Sequence, residues 1–392
     1  MTHRKVWLVL PWAPSNQGGV TAVVQNLIAH WGTCENLAPA LVVDNWDTVQ
    51  PIVHPDALYF RFQAIGASST GRLLLSVLRT PFTLWRTWRV LRDEQVASVN
   101  FHYTGASPWG VAFLKRLGLY RGNLVISFHG TDVRPPANIA DRWLRAYCYR
   151  HADALVACSA SLADRMSTTL CVPRGRITVI FNGADTAVFR SDAPSTNGLV
   201  GKLPDNYVVN IGAFITRKAH TDLLEAFTLA FRDQPAYHLC LAGADGPTLK
   251  ATREQAESLG LASRVHFFVG LTREDVAHLL AKASLCVQPS LAESLPLSVL
   301  EAGAVGVPVA VSNIPGHDEL VRDGETGRLF RVNDPMHCAE VMTEMLANPE
   351  KTHPQARRLQ QQVHESLTWE ACVANYKALY SPCLTTPGGA SD

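Results

Sequence analysis

Glu293-Ser294-Leu295-Pro296-Leu297-Ser298-Val299-Leu300-Glu301 is the stretch on which the fold turns. The apolar run Leu285-Cys286-Val287 precedes it and the small-residue segment Ala302-Gly303-Ala304 follows, so strand, loop and helix come in quick succession. A proline near a first helical turn suits a helix start, because its missing N–H is not needed there. The free N–H groups of such a turn make a ready site for anionic oxygen. Glu293 falls in the loop and Glu301 about two turns into the helix. Two carboxylates so placed can hold hydroxyls at both ends of one ligand while the amides between them hold its phosphates. A helix with a buried cap and a surface glutamate would give the same letters.

Outward from this stretch, short apolar runs alternate with amphipathic segments, the pattern of α/β units around parallel sheets. In the first half, strands are expected at Val6–Leu10, Ala40–Val43, Leu58–Phe62, Ser98–His102, Leu124–Ser127, Leu155–Ala157 and Ile177–Ile180. Helices are expected at Val20–Trp31, Leu73–Leu91 and Arg142–His151. The Pro-, Ser-, Gly- and Asn-rich segment Ser191–Asp205 reads as a linker. A second set of strands follows at Tyr207–Ile211, His238–Ala242, Val265–Val269, Leu285–Val287 and Val309–Val311. Each half reads as a doubly wound sheet, and ligands bind such sheets beyond the strand C-termini. Thr368-Trp369-Glu370, with Val373, Tyr376 and Leu379, makes a late amphipathic helix, and the last residues are expected to fray.

The composition fits this organisation. The chain has 392 residues, 47% hydrophobic and 18% charged, which suits two or three packed domains and excludes general disorder. No apolar run reaches the ~18 residues of a membrane span. Val6-Trp7-Leu8-Val9-Leu10 is too short for a signal peptide and reads as a first buried strand. Nine scattered cysteines without CxxC pairs point to reduced thiols in a cytoplasm. Residues 1–190 carry 19 Lys+Arg against 11 Asp+Glu, and the remainder 16 against 23. A basic front half suits an anionic partner, such as a phospholipid surface or a lipid-phosphate acceptor. No zinc finger, arginine-rich block or aromatic RNA-binding signature speaks for nucleic acid. From Arg72 to Arg92 five arginines mix with Leu, Phe82, Trp85 and Trp88, as in a membrane-surface helix, although Pro81 interrupts the run. A crossover helix packed on a sheet would look similar.

Several loops at expected strand ends carry chemistry. Gln17-Gly18-Gly19 opens a helix, where backbone can approach a ligand closely. The interruptions Pro11, Pro14 and Asn16 exclude a GxGxxG dinucleotide loop and disfavour a dehydrogenase. His129-Gly130-Thr131-Asp132 ends a strand: His129 can donate to hydroxyls, and Asp132 can orient the loop or cap a turn. Gly212-Ala213-Phe214-Ile215-Thr216-Arg217-Lys218 places adjacent cations beyond a glycine, suited to a leaving pyrophosphate or to a solvated basic turn. Gly243 and Gly270 end the next two strands.

Taken in order, these motifs span nearly the whole chain, and they resemble the retaining glycosyltransferases of the family-4 type. Glu293 to Glu301 resembles that family's Glu-x7-Glu motif, His129 to Asp132 its His-Gly-x-Asp run, Gly18-Gly19 its donor loop, and Lys218 its phosphate lysine. Asn182 to Asp185, Ser312 to Gly316 and Glu319 continue the match. Ala213 departs from it by replacing an arginine, for which Arg217 would substitute. The resemblance implies a GT-B fold: two Rossmann-like domains facing across a cleft. These would be residues 1–190 for the acceptor and 207–366 for the nucleotide sugar, joined by a linker at 191–206. A helix at 367–381 would cross back to the first domain, and 382–392 would form a flexible tail. It also implies hexosyl transfer from a nucleotide sugar to a glycan or lipid-linked acceptor, in cell-envelope or exopolysaccharide synthesis, without cofactor or metal. Glu293 would meet sugar hydroxyls, Glu301 the ribose, and His129 the sugar's far edge. Lys218, Arg217, Gly212 and the turn Ser294-Leu295-Pro296-Leu297 would meet the diphosphate, and Gly243 and Gly270 the base and ribose. An epimerase or phosphorylase on the same scaffold, or a non-catalytic sugar-nucleotide binder, stays open.

Overall fold

The structure, a computed structural model, describes residues 4–14, 18–32, 36–44, 56–62, 70–194, 199 and 201–380, with the side chains of 70–78 left aside. The expected frayed tail, Gln17 and part of the expected linker lie outside the described residues. The chain forms two compact units, 1–181 with 372–392, and 182–371.

In the first unit seven parallel strands run β1 (Arg4–Leu10), β2 (Leu37–Val43), β3 (Ala57–Tyr59), β4 (Val96–His102), β5 (Asn123–Phe128), β6 (Ala154–Ala157) and β7 (Ile177–Val179), in the order β3-β2-β1-β4-β5-β6-β7. The reversal of direction at β1 and β4 is the switch point beyond which doubly wound sheets bind ligands. Helices α1 (Gly19–Ala29), α2 (Thr70–Asp93), α3 (Trp109–Arg116), α4 (Ile139–His151) and α5 (Ala160–Leu170) connect the strands. β1 and β4 are buried along nearly their whole length, as strands covered on both faces must be. Pro81 does not interrupt α2, which runs through it as the crossover between β3 and β4. Proline removes one N–H bond, and a long helix held by packing tolerates that locally.

The second unit holds β8 (Tyr207–Ile211), β9 (His238–Gly243), β10 (Val265–Val269), β11 (Leu285–Gln288), β12 (Val309–Ser312) and β13 (Arg328–Phe330), in the order β10-β9-β8-β11-β12-β13. All pairs are parallel. Its helices are α6 (His220–Phe231), α7 (Leu249–Ser258), α8 (Arg273–Lys282), α9 (Leu297–Val305), α10 (Pro335–Ala347) and α11 (Pro349–Ser366). Under the sheet centre, buried Asn210 donates to the Val287 carbonyl at 2.8 Å and Gln288 donates to the Ile211 carbonyl at 3.1 Å, locking β8 to β11.

The last helix, α12 (Trp369–Tyr380), is counted with the first unit from Cys372 onward. Buried polar bonds fix it there. Asn100 donates to the Tyr380 hydroxyl at 2.7 Å, Tyr376 donates to Ser127 at 3.2 Å, and Ser127 donates back to Asn100 at 2.9 Å. The Tyr380 ring stacks on Trp31 at 5.9 Å. The units divide at Phe181–Asn182, ahead of the expected linker at 191–206. Residues after the break already pack with the second unit: Asp185 pairs with Arg273 at 3.1 Å, the Ala193 carbonyl lies 3.0 Å from His278 Nδ1, and Leu199 is buried.

Candidate functional site

Three glycine strand ends stand side by side in the second unit. The Gly212 N–H donates to Ala242 and the Gly270 N–H to Gly243. A Cβ on Gly243 would fall on the Gly212 carbonyl oxygen, so only glycine lets these two strand ends approach so closely. The result is an edge of closely approaching backbone, with the stem of Lys218 over Gly212.

Beyond Gly212 the chain makes a 3-10 turn, Thr216–Lys218, and Ala219 takes a left-handed conformation before α6 begins. This turn points Lys218 inward, where its stem passes Gly212 and its ammonium pairs with Glu293 Oε1 at 2.7 Å. Both side chains are largely buried, 12% and 9% exposed. Burial alone would raise the Glu293 pKa, but the Lys218 charge, helped by Arg217 and His317, pulls it below the ordinary carboxylate value. Arg217 is exposed in the same turn, and its carbonyl accepts the Leu291 N–H at 2.8 Å, tying the two loops together.

Helix α9 starts at Leu297, with extended Pro296 as its cap and neither a side-chain cap nor an acidic residue in its first turn. The Leu297 and Ser298 N–H groups are therefore left for an anion, while that of Val299 donates to the Pro296 carbonyl at 3.2 Å. Glu301 is the fifth residue of α9, little more than one turn in and not two, because the helix begins after Pro296. Its carboxyl is densely surrounded, and burial raises its pKa to about 7 against the opposing charges of Arg273 and Lys218.

Sequence reasoning missed two polar groups here. Ser298 Oγ, in the first turn of α9, is buried without a hydrogen-bond partner. His317 is wholly buried, with Nδ1 2.9 Å from the Ser312 carbonyl and Nε2 unpartnered. Burial holds it neutral, with a pKa near 4. The loop carrying it approaches the glutamate loop through Gly316, whose φ is +93° and whose Cβ would lie 2.7 Å from the Ser294 carbonyl oxygen.

In the first unit, Gly18 caps α1 in an extended conformation, and Gly18 and Gly19 are both exposed. Asp132 caps its own loop: its carboxylate accepts the N–H groups of His129 at 3.1 Å and Gly130 at 2.7 Å. Burial raises its pKa to about 6 in spite of those bonds. His129 Nε2 lies 3.0 Å from Nδ1 of fully buried His102 at the end of β4, with the rings stacked. Burial lowers both pKa values, that of His129 to about 4, so the pair is neutral and shares one hydrogen. His102 gave no signal in the sequence because it ends an otherwise buried strand.

The family model "Glycosyl transferases group 1" matches residues 198–362, and the model "Glycosyltransferase Family 4" matches residues 17–188. The chain belongs to the family-4 glycosyltransferases. Among similar proteins, N-acetyl-alpha-D-glucosaminyl L-malate synthase of Bacillus anthracis is 28% identical over 75% of this chain and 77% of its own length. D-inositol 3-phosphate glycosyltransferase of Mycobacterium avium is 31% identical over 50% of this chain, but the match spans only 47% of that protein. The fold is shared with the Anabaena protein HepE, solved in complex with UDP and glucose, at a TM-score of 0.73 and 17% identity over 96% of this chain and 99% of that one. Both units are Rossmann-like, as the resemblance implied, and the family makes the chain a glycosyltransferase.

Proposed function

We propose that this family member transfers a hexosyl group, with retention, from a nucleoside-diphosphate sugar to a hydroxyl of a glycan or lipid-linked acceptor in cell-envelope or exopolysaccharide synthesis. One observation carries this reading: the buried Lys218–Glu293 pair at 2.7 Å, set against the uncapped start of α9 with Glu301 one turn further on. The cations and helix amides suit the diphosphate, and the two carboxylates suit the hydroxyls of sugar and ribose. Gly270, where a Cβ would meet nothing, leaves room for base or ribose beside the Gly243 strand end, and His129, neutral, is assigned to hydroxyls of the transferred sugar. As the sugar's C1–O bond to the diphosphate breaks, the acceptor oxygen bonds C1 on the same face. The acceptor's proton passes to the leaving phosphate oxygen. Lys218, Arg217 and the α9 N–H groups take up the charge that develops on the leaving group, so no metal is required. A thermal-shift screen of nucleotide sugars tests the reading: one sugar nucleotide should raise the melting temperature, Glu301→Ala should abolish that shift, and EDTA should leave turnover unchanged. An unchanged shift in Glu301→Ala would refute the ribose assignment.

A specific surface favours membrane contact as a finer feature of the acceptor side. Helix α3 packs against both α2 and α4. Phe82 (63%), Trp85 (49%), Ile139 (75%) and Trp143 (73%) are exposed on α2 and α4, with Arg89 and Arg92 over the Trp85 and Trp88 rings. Exposed aromatics mixed with arginines suit an anionic headgroup layer. None of the described helices is long and apolar enough to cross a membrane. Flotation with phosphatidylglycerol vesicles but not phosphatidylcholine vesicles, lost in Trp85→Ala/Trp143→Ala, is the expected outcome, and equal flotation with both would refute it.

A further inference from the structure

The first unit carries an aromatic pair that the donor reading does not use. Trp12 follows β1 and Tyr103 follows β4, so both stand at the C-terminal edge of the sheet, at its switch point. Their ring centroids are 4.9 Å apart, with planes at 60°, and both residues are partly exposed. Each ring is pinned. The Trp12 indole N–H donates to Thr21 Oγ1 of α1 at 2.9 Å, and the Tyr103 hydroxyl lies 2.8 Å from Thr131 Oγ1 in the His129 loop. Tyr103 also holds a φ of +52°, which a bulky residue rarely adopts, and such strain clusters at binding sites. Its neighbour His102 contacts His129, so the rings border the same loop as the histidine pair.

Several charges of the described residues around this edge are committed elsewhere. Arg165 donates to the Gly130 carbonyl, and Arg145 is bound to Asp141 at 2.8 Å. Asp132 is occupied by the backbone N–H groups of its own loop. Arg134 is the exposed cation of this loop. What the described residues present is therefore aromatic carbon beside the hydroxyls of Tyr103 and Thr131 and the neutral His129, with the Arg134 cation further along the loop.

Resting on the transferase reading, we propose that Trp12 and Tyr103 form the acceptor platform, and that the acceptor is an uncharged pyranoside rather than a carboxylate or a phosphorylated polyol. A pyranose ring offers an apolar C–H face to an aromatic plane and hydroxyls at its rim, the two kinds of surface this edge displays. Tyr103 and Thr131 bond the rim hydroxyls, and the ring face lies on the indole.

The test titrates the full-length protein, saturated with UDP, with methyl α-pyranosides of glucose, galactose, mannose and N-acetylglucosamine, read by saturation-transfer NMR and calorimetry. L-malate and inositol 3-phosphate form parallel arms. At least one pyranoside should bind, with transfer strongest at its C–H face, and Trp12→Leu should weaken it about tenfold. Tyr103→Phe keeps the ring and should weaken it less. The UDP-induced thermal shift should stay at its wild-type size in both variants, which also shows that they fold. The platform is refuted if every pyranoside binds Trp12→Leu as well as the wild type, if none binds, or if malate or inositol phosphate binds instead in an Arg134-dependent manner. Failure of the pyranosides with the UDP shift intact overturns the platform alone. Absence of a shift in the wild-type protein with every nucleoside diphosphate and sugar nucleotide of the screen overturns the donor reading beneath it.

Discussion

Replacing Lys218 by Met removes one half of a nearly buried ion pair and leaves Glu293 to face burial with only Arg217 and His317 nearby. At 2.7 Å the pair's attraction is about 6 kcal/mol at an effective dielectric of 20. Much of that offsets the desolvation of two groups that are only 12% and 9% exposed. Removing one partner of such a pair costs about 3 kcal/mol or more, because the other charge stays buried alone. For a unit of this size, that lowers the melting temperature by about 6–12 °C. The pH dependence gives the sign. In the wild type the Glu293 pKa lies below its ordinary 4.5, so its contribution is present above 4.5 and is lost as pH falls through the folded value. Without Lys218 burial dominates and the pKa rises, so the deficit should grow as pH rises from 4 to 7. Lys218→Met/Glu293→Gln removes the stranded charge and should recover most of the loss. Calorimetric scans of the wild type, Lys218→Met, Glu293→Gln and the double variant at several pH values are the assay. A Lys218→Met loss below about 1 kcal/mol, or a double variant that simply adds the two single losses, would refute the pair as the energetic centre of this site.

Three further outcomes are expected. Because burial holds the Glu301 pKa near 7 and, on the proposed reading, a ribose diol would donate to the ionised form, affinity for the sugar nucleotide selected by the thermal-shift screen should fall as pH drops below 7, approaching tenfold per unit, and be flat in Glu301→Gln. A flat wild-type profile would show that Glu301 does not meet hydroxyl donors. Gly316→Ala should lose more stability in chemical denaturation than Gly324→Ala. Both glycines have positive φ, but a Cβ at Gly316 strikes the Ser294 carbonyl while one at Gly324 meets nothing, so equal losses would dismiss the close approach. In nitrogen-15 NMR, His102 and His129 should both remain neutral between about pH 5.5 and 8, and a titration in that window would overturn the buried shared-hydrogen pair.

What the sequence disclosed follows the range of the forces involved. Lys218, Pro296 and the glycine strand ends were legible because local rules govern them: a helix start, a tight turn, a cation next to a phosphate site. Glu301 was placed a turn too deep because the count ran from Glu293 and not from the cap. The helix expected at Leu73–Leu91 runs through Pro81, and the units divide at Phe181–Asn182 and not at the composition shift after Ser191. Composition signals a break, but packing can carry a helix through a proline, and it can bind Ala193 and Leu199 into a folded unit. His102, His317, Trp12 and Tyr103 were invisible as site residues because buried or aromatic letters read as core, and only tertiary placement brings them to an edge.

The Lys218–Glu293 pair also bears on how a donor would enter. The lysine assigned to the diphosphate is held by a carboxylate. An ammonium has three donors, so it can keep Glu293 and still reach a phosphate oxygen, whereas a lone cation would swing to wherever charge is greatest. The pairing thus fixes Lys218 and keeps Glu293 ionised, and on the proposed reading its carboxylate would meet sugar hydroxyls and the positive charge that grows at C1. On the proposed reading, Lys218 would strengthen its bond to that oxygen as the diphosphate leaves and gains charge. Preorganisation of this kind favours the transition state over the bound donor. It follows that Lys218→Met should depress kcat more than it raises the donor KM, and an effect confined to KM would leave Lys218 a binding group only.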